Sequence, residues 1–485
     1  MASHQLLIDG VLRGSVYGST FDNIDPSTGR KAGVAPNASA ADASEAIGAA
    51  RRAFDETRWA TDVGLRVKVL RQLDEALRRN VENLTELTMT EVGAPRSACA
   101  TVQVEAPLDM VSWYADLLES YDFTTDLGER DTLGGRCRRW IEREPIGVVG
   151  AITPWNVPNQ INLAKVIPAL AAGCTVVLKP APDTPWTGLE LGRIAASETE
   201  LPPGVLNVIT GADPAFGSLL TGDPRVDMIS FTGSTATGRS VMAAASQHLT
   251  KVFLELGGKS VQLVLDDVAD LGTAAAHAAF GLGTVAGQGC ALTTRILLPR
   301  ERYEEGLDAI ASMMAAVTVG DPRDEATMMG PLINAAQLGR VESYVSGALA
   351  QGARLVCGGK RVADTEGFFH EPTLLAEVTN DMVAAQEEIF GPVLVAIPYD
   401  GDEEAIAIAN DSIFGLSGSV FSDDPERARS VGRRIRTGTM GVNGGVWYGP
   451  DVPFGGYKQS GLGREMGLAG FEEHLEIKAF AEPVA

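Results

Sequence analysis

At 485 residues, 45% hydrophobic and 21% charged, the chain has the length of two or three domains and an ordinary globular composition, ample for a large core. Its net charge of −23 argues against general nucleic-acid binding, which needs a positive field around phosphates, but leaves a nucleotide cofactor open, because backbone amides at a helix start hold phosphates locally. Cys99, Cys137, Cys174, Cys290 and Cys357 stand at wide spacings without a CxxC, and no HExxH occurs, so neither a disulfide framework nor a metal site is expected.

Met1-Ala2-Ser3-His4-Gln5 shows no basic-then-apolar signal, and no apolar run of about 18 residues follows. The expectation is a cytoplasmic protein with no membrane partner. Residues 5–35 read as short strands and turns, with Asp9-Gly10 and Asn23-Ile24-Asp25-Pro26 as turn signals. From Ala41 to about Ser120 the pattern is helical, with Leu65, Val69, Leu73 and Leu77 at a spacing of four. Residues 121–145 are polar and then basic, with Arg136, Arg138, Arg139 and Arg143. They read as a solvated hairpin or an oligomer arm.

Strands and helices then alternate. Ile146–Ile152, Thr175–Leu178, Val205–Ile209, Met228–Phe231 and Val252–Leu254 read as strands. Asn159–Ala172, Thr187–Thr199 and Thr235–Ser246 read as helices. Such alternation predicts βαβ units and a parallel sheet, with ligands beyond the carboxyl ends of its strands. After Glu255 it begins again: strand Val261–Leu265, helix Ala274–Leu282, strand Ile296–Leu298, helix Tyr303–Ala316. Leu394–Ile397, Val420-Phe421 and Thr439–Val442 are later strands of this second α/β domain. His474–Val484 alternates weakly and can add a strand to another sheet or subunit.

Two glycine-rich turns hold the candidate chemistry: Glu255-Leu256-Gly257-Gly258-Lys259 and Gly287-Gln288-Gly289-Cys290. Glycines let the backbone approach a ligand closely, so Cys290 can present a thiol and Glu255 can accept a proton from water; a buried inert cysteine is the alternative. Phe231-Thr232-Gly233-Ser234 follows a strand and opens a helix, fit either for a pyrophosphate or for an ordinary N-cap. Gly281-Leu282-Gly283-Thr284-Val285-Ala286 matches GxGxxA but has no strand leading into it, so it is not read as a dinucleotide fingerprint. Lys179 ends a strand where ribose hydroxyls or solvent would meet it. Asn156, in Pro154-Trp155-Asn156-Val157-Pro158, can donate to a developing oxyanion or simply serve the turn. In Glu388-Ile389-Phe390-Gly391-Pro392 the acid suits ribose hydroxyls and the ring a nicotinamide, or the segment is a helix end with a core Phe.

In this order, with Pro453-Phe454-Gly455-Gly456-Tyr457-Lys458, these motifs resemble the aldehyde dehydrogenase superfamily over nearly the whole chain. The resemblance implies an α/β fold: a Rossmann-like NAD(P)-binding domain (1–121 and 145–254), an α/β catalytic domain (255–445) and a small β oligomerisation arm (122–144 and 471–485). Residues 446–470 would return to line the active site. It implies a homodimer or homotetramer. By motif position Cys290 resembles the nucleophile, Glu255 the general base, and Asn156 with the Cys290 amide the oxyanion hole. Glu465 resembles an acid that relays protons. Lys179 and Glu388 resemble ribose ligands, Ser234 a pyrophosphate ligand and Phe390 a nicotinamide contact. Ile152, Trp155, Gly211, Phe231, Gly233, Leu256 and Gly257 complete the implied cofactor site. Val157, Ile161, Ala164, Gly289, Ala291, Trp447 and Phe454 would form the substrate pocket. These are small or apolar, so an uncharged, hydrophobic aldehyde is favoured.

The expected reaction is oxidation of that aldehyde to the acid through a thioester on Cys290, with NAD as cofactor. One departure leaves NADP open: the family's NAD-preferring members often carry an acid where this chain has Pro182, with Asp183 adjacent. No Arg or Lys stands at 181–184 to welcome a 2′-phosphate, so NAD is favoured. A CoA-acylating relative is a second reading, opposed by the presence of Glu255. A non-catalytic binding protein on the same scaffold is a third, and has no need of both Cys290 and Glu255.

Overall fold

The computed structural model describes residues 4–484; Met1–Ser3 of the N-terminal stretch read above, and Ala485, lie outside the described residues. Five central strands of the first sheet are parallel and run, in spatial order, Lys251–Glu255, Met228–Thr232, Val148–Ile152, Thr175–Lys179 and Leu206–Val208. Val148–Ile152, Thr175–Lys179 and Met228–Thr232 are buried along their whole length. That explains why they read as apolar runs: helices cover both faces of a parallel sheet. Chain order reverses between Val148–Ile152 and Met228–Thr232, and the crevice at such a reversal is where α/β sheets bind ligands. The N-terminal hairpin Leu6–Ile8 and Val11–Arg13 pairs antiparallel at one edge. Gly461–Leu462 closes the other, pairing with Lys251–Glu255.

The second sheet has seven strands, all parallel except the edge strand Arg354–Cys357. Along Arg295–Pro299, Leu297 faces one apolar cluster while Ile296 and Leu298 face another, as the period of two requires for a strand buried on both sides. A third sheet joins Thr124–Thr132, Gly135–Pro145 and Leu475–Pro483, all antiparallel. In it Trp140 stacks on Phe480 at 5.1 Å, across directly paired positions.

The fold departs from the sequence expectation at four places. Glu255 is the last residue of a strand, not part of a turn. The strand expected over 439–442 is only Gly441–Val442. The helical stretch to Ser120 is interrupted by a wide turn, Cys99–Gln103, with Thr101 out of helical geometry. Lastly, several elements went unread, among them helix Ala335–Ala350 and strand Thr373–Ala376. That helix buries Leu338, Val341, Val345 and Ala348, a regular three-and-four spacing.

Candidate active site

Strand register puts the candidate residues in one row. Across the first sheet Glu255 is level with Thr232, Phe231 with Ile152, and Ile152 with Lys179. All lie at the carboxyl ends, beside the reversal point. Gly211 follows the next strand and packs against Phe216, where a Cβ would stand 2.9 Å from the ring. Ser234 caps helix Thr235–Ala245, its Oγ accepting from the Thr237 amide at 3.1 Å. Lys179 is buried, and burial lowers its pKa to about 8 against the opposing pull of Asp183 and Asp213. Asp183 accepts from Asn334 Nδ2 at 3.0 Å.

Two cavities meet at this row. The first, about 300 Å³, is walled by Trp155, Gly233, Ser234, Leu256, Gly257, Glu388 and Phe390. Ile152, Lys179, Gly211 and Phe231 stand outside its walls. The Gly257 backbone lies so near Glu388 that a Cβ would sit 2.4 Å from its Oε2, while Oε1 accepts from the Gly258 amide at 2.9 Å. Burial raises Glu388 to about 7, opposed by that amide and by Arg340. Phe390 takes a left-handed φ of 62° and meets Trp155 edge-on at 5.3 Å, a costly conformation held by its surroundings. The unread helix does the holding. Gln337 donates to Phe390 O at 2.6 Å, and Arg340 donates to Glu388 O at 2.6 Å.

The second cavity, about 390 Å³, is walled by Val157, Ile161, Gly289, Ala291, Trp447 and Phe454. Trp447 stacks on Phe454 at 5.3 Å. Ala164, expected here, is instead buried in the core of the first sheet, one turn past Ile161. Val102, Gln160, His277 and Ser419 also line the cavity and were not read from sequence.

Cys290, Glu255, Asn156 and Thr232 belong to both walls. The loop carrying Cys290 leaves helix Gly272–Gly283 through Ala286 and Gly287, both at positive φ. At Gly287 a Cβ would stand 2.0 Å from Gly391 O, so the Cys290 loop and the Phe390 segment are packed backbone to backbone. Asn156 Nδ2 donates to Gln288 O at 2.8 Å, which uses one of its two N–H groups. Behind it, Gln103 from the kinked turn donates to Asn156 O at 2.9 Å. Glu255 is 1% exposed, and its Oε1 has no hydrogen-bond partner. Burial, and then the charge of Glu465, raises its pKa well above the ordinary value. Burial and Glu255 likewise push the Cys290 thiol up. For both acid and thiol, burial favours the neutral form over the charged one. Glu465 also lines the second cavity, and buried Lys165 donates to it at 3.0 Å and to Ser230 at 3.3 Å.

The "Aldehyde dehydrogenase family" model matches residues 14–480. The chain is 43% identical over 438 residues to 3-succinoylsemialdehyde-pyridine dehydrogenase of a Pseudomonas species, covering 90% of this chain and 89% of the relative. It is 41% identical over 447 residues to geranial dehydrogenase of Castellaniella defragrans, covering 92% and 91%. Among solved structures it is similar to a Mycobacterium tuberculosis aldehyde dehydrogenase complexed with NAD+, at TM-score 0.94 and 42% identity, covering 99% and 98% of the two chains. Aldehyde dehydrogenase C of Pseudomonas syringae, a variant complexed with NAD+ and octanal, matches at TM-score 0.93 and 40% identity, covering 99% and 96%.

Proposed function

Because the chain belongs to the aldehyde dehydrogenase family, we propose that it oxidises an uncharged, largely apolar aldehyde to the free acid with NAD+, through a thioester on Cys290. The observation that carries this reading is the meeting of the two cavities at Cys290, Glu255 and Asn156. One cavity suits a nicotinamide nucleotide, and its walls fit that group on their own evidence. Glu388 keeps one oxygen on the Gly258 amide and is steadied by Arg340, ready to accept from ribose hydroxyls. Gly257 leaves it room. Trp155 and Phe390 offer an aromatic corner, and the start of helix Thr235–Ala245 offers amides for phosphate. Lys179 lies further along the same row.

In the second cavity Cys290 Sγ attacks the aldehyde carbon once its proton has left. Glu255 is the adjacent acceptor. The second N–H of Asn156, itself buried, then donates to the alkoxide. NAD+, when bound, supplies the hydride acceptor. Glu255 next takes a proton from the water that attacks the thioester, and the Lys165–Glu465 pair leads that proton away. The apolar walls and the Trp447–Phe454 stack favour a hydrophobic chain, in keeping with the octanal bound to one structural neighbour. Position 182 is a proline, and the adjacent acid, Asp183, whose charge reaches Lys179, accepts from Asn334. NAD+ is therefore preferred over NADP+ by less than the roughly 10³-fold that about 4 kcal/mol of repulsion would give. The antiparallel sheet of Thr124–Thr132, Gly135–Pro145 and Leu475–Pro483 is taken as the contact between subunits.

The test is a panel of aldehydes with NAD+ and NADP+, following NADH or NADPH absorbance and identifying the product. Free acid, formed best from uncharged aldehydes with NAD+, is expected. No reduction with any aldehyde would overturn the reading, and a requirement for CoA would replace it by the acylating reaction.

A further inference from the structure

The second cavity is not apolar throughout. One wall is built from helix Gly272–Gly283 and strand Gly418–Phe421, and carries His277 and Ser419. Both stand next to Gln262, which is buried on the neighbouring strand Val261–Val264. Gln262 and Ser419 are register partners in parallel strands, so their side chains leave the sheet on the same side. His277 Nδ1 lies 2.8 Å from Gln262 Oε1.

This arrangement fixes the imidazole. Gln262 Nε2 donates to Ala274 O at 2.7 Å. A carbonyl can only accept, so the amide nitrogen must face Ala274 and the amide oxygen must face His277. Nδ1 therefore carries the hydrogen. Burial lowers the pKa of the ring and favours its neutral form. Its Nε2 is then an acceptor and nothing else. Ser419 is 2% exposed, and its Oγ has no hydrogen-bond partner among the described residues. A buried hydroxyl without a partner is costly, and the cost is relieved by a group that accepts from it. The wall thus presents one bare acceptor and one idle donor.

His277 stands six residues before the end of its helix at Gly283, about 9 Å along the axis. The Cys290 loop begins at that end. A substrate with its aldehyde carbon at Cys290 would meet His277 and Ser419 with its other end.

Resting on the dehydrogenase reading above, we propose that this enzyme is built for aldehydes bearing a neutral hydroxyl remote from the aldehyde carbon, which donates to His277 Nε2 and accepts from Ser419 Oγ. A hydroxyl offers one donor and one acceptor, as the wall demands. A methyl end leaves Ser419 unpaired. An ammonium end cannot accept from Ser419, and a carboxylate end sets its lone pairs against Nε2.

The experiment compares straight-chain aldehydes of matched length ending in CH₃ or CH₂OH, the hydroxyaldehydes being too long to cyclise. kcat/KM is measured for each pair with NAD+. The expected result is a preference for the hydroxyl end at one chain length, about tenfold, the order of one or two net hydrogen bonds. Ser419→Ala and His277→Leu should each remove that preference. Damage to folding or to the chemistry slows both members of a pair alike and leaves the ratio untouched, so the ratio reads recognition alone. A wild-type enzyme that prefers the methyl end at every length overturns the proposal, as does a preference that survives both substitutions. Absence of turnover with every aldehyde instead refutes the dehydrogenase reading, which keeps the two failures apart.

Discussion

Gly257→Ala is a sharp test of the cofactor cleft, because it adds one carbon at a known place. The new Cβ would stand 2.4 Å from Glu388 Oε2 and 2.9 Å from its carboxyl carbon. Carbon and oxygen do not tolerate such an approach, so the carboxylate must retreat by about 1 Å, the shortfall from an ordinary contact near 3.5 Å. Retreat is hard to absorb, since Oε1 is held by the Gly258 amide at 2.9 Å and the Glu388 backbone by Arg340. No positive φ is involved at Gly257, so the backbone itself accepts alanine. What would be lost is the proposed alignment of Glu388 with the ribose. One hydrogen bond to a charged group is worth about 1.5–3 kcal/mol, which is about 10- to 150-fold in affinity. Kd and KM for NAD+ should rise by that factor, while the aldehyde KM at saturating NAD+ changes little. Fluorescence titration with NAD+ and steady-state kinetics measure both. Unchanged NAD+ affinity in a folded Gly257→Ala enzyme would refute the placing of Glu388 on the cofactor.

Two further outcomes follow from the same geometry. Cys290→Ala should abolish turnover and leave NAD+ titration unaltered, since the proposed mechanism asks Sγ to begin the chemistry and not to hold the nucleotide; turnover clearly above background would remove it as the nucleophile. Glu91→Gln should lower the denaturation midpoint without touching KM for NAD+. Both Glu91 oxygens accept from N–H donors, Trp186 and Asn23 on one and the Thr187 amide on the other. An amide NH₂ facing such a donor costs about 1–3 kcal/mol, and a variant as stable as wild type would contradict that pairing.

Much of the site was legible because its backbone demands glycine. Gly257 must clear Glu388, and Gly287 must clear Gly391, so both signatures are written locally in the chain. The parallel strands were equally visible, as apolar runs buried on both faces. What stayed hidden depends on distant partners. Gln103 reaches the Asn156 carbonyl across 53 positions, and Lys165 reaches Glu465 across 300. No local pattern records either contact. The kink at Thr101 that turns Val102 and Gln103 toward the site has no proline or glycine to announce it. Helix Ala335–Ala350 did carry an apolar period, and its Gln337 and Arg340 position the Glu388–Phe390 segment. Ala164 errs in the other direction. It lies within the motif's reach, but the pitch of its helix turns it into the core.

Glu255 can be separated from Cys290 in time and in pH. In the proposed mechanism acylation and hydride loss precede the entry of water, so Glu255→Gln should slow deacylation most, by about 10² to 10⁴, the usual worth of a general base. Mixing the variant with NAD+ and aldehyde should give up to one NADH per active site, then very slow turnover, with the acyl group found by mass on Cys290. The pH dependence has a definite sign. Burial and the charge of Glu465 raise the Glu255 carboxyl well above its ordinary value of 4.5, while Lys165 pulls the other way. Below the raised value Glu255 is protonated and cannot accept; above it the carboxylate can. Wild-type deacylation should therefore climb with pH, beginning well above the ordinary carboxylate range, and level off once that raised value is passed. In Glu255→Gln the climb in deacylation should vanish, because the amide does not titrate. The burst, slower without Glu255 to take the thiol proton, should still grow with pH, since burial and neighbouring carboxylates also raise the Cys290 thiol, and that proton must leave before attack. Two pH profiles, one lost and one kept, would mark two groups with two roles. A variant with wild-type turnover, an unchanged climb and no acyl-enzyme would take Glu255 out of the mechanism and leave Glu465, paired with Lys165 on the same cavity, as the base.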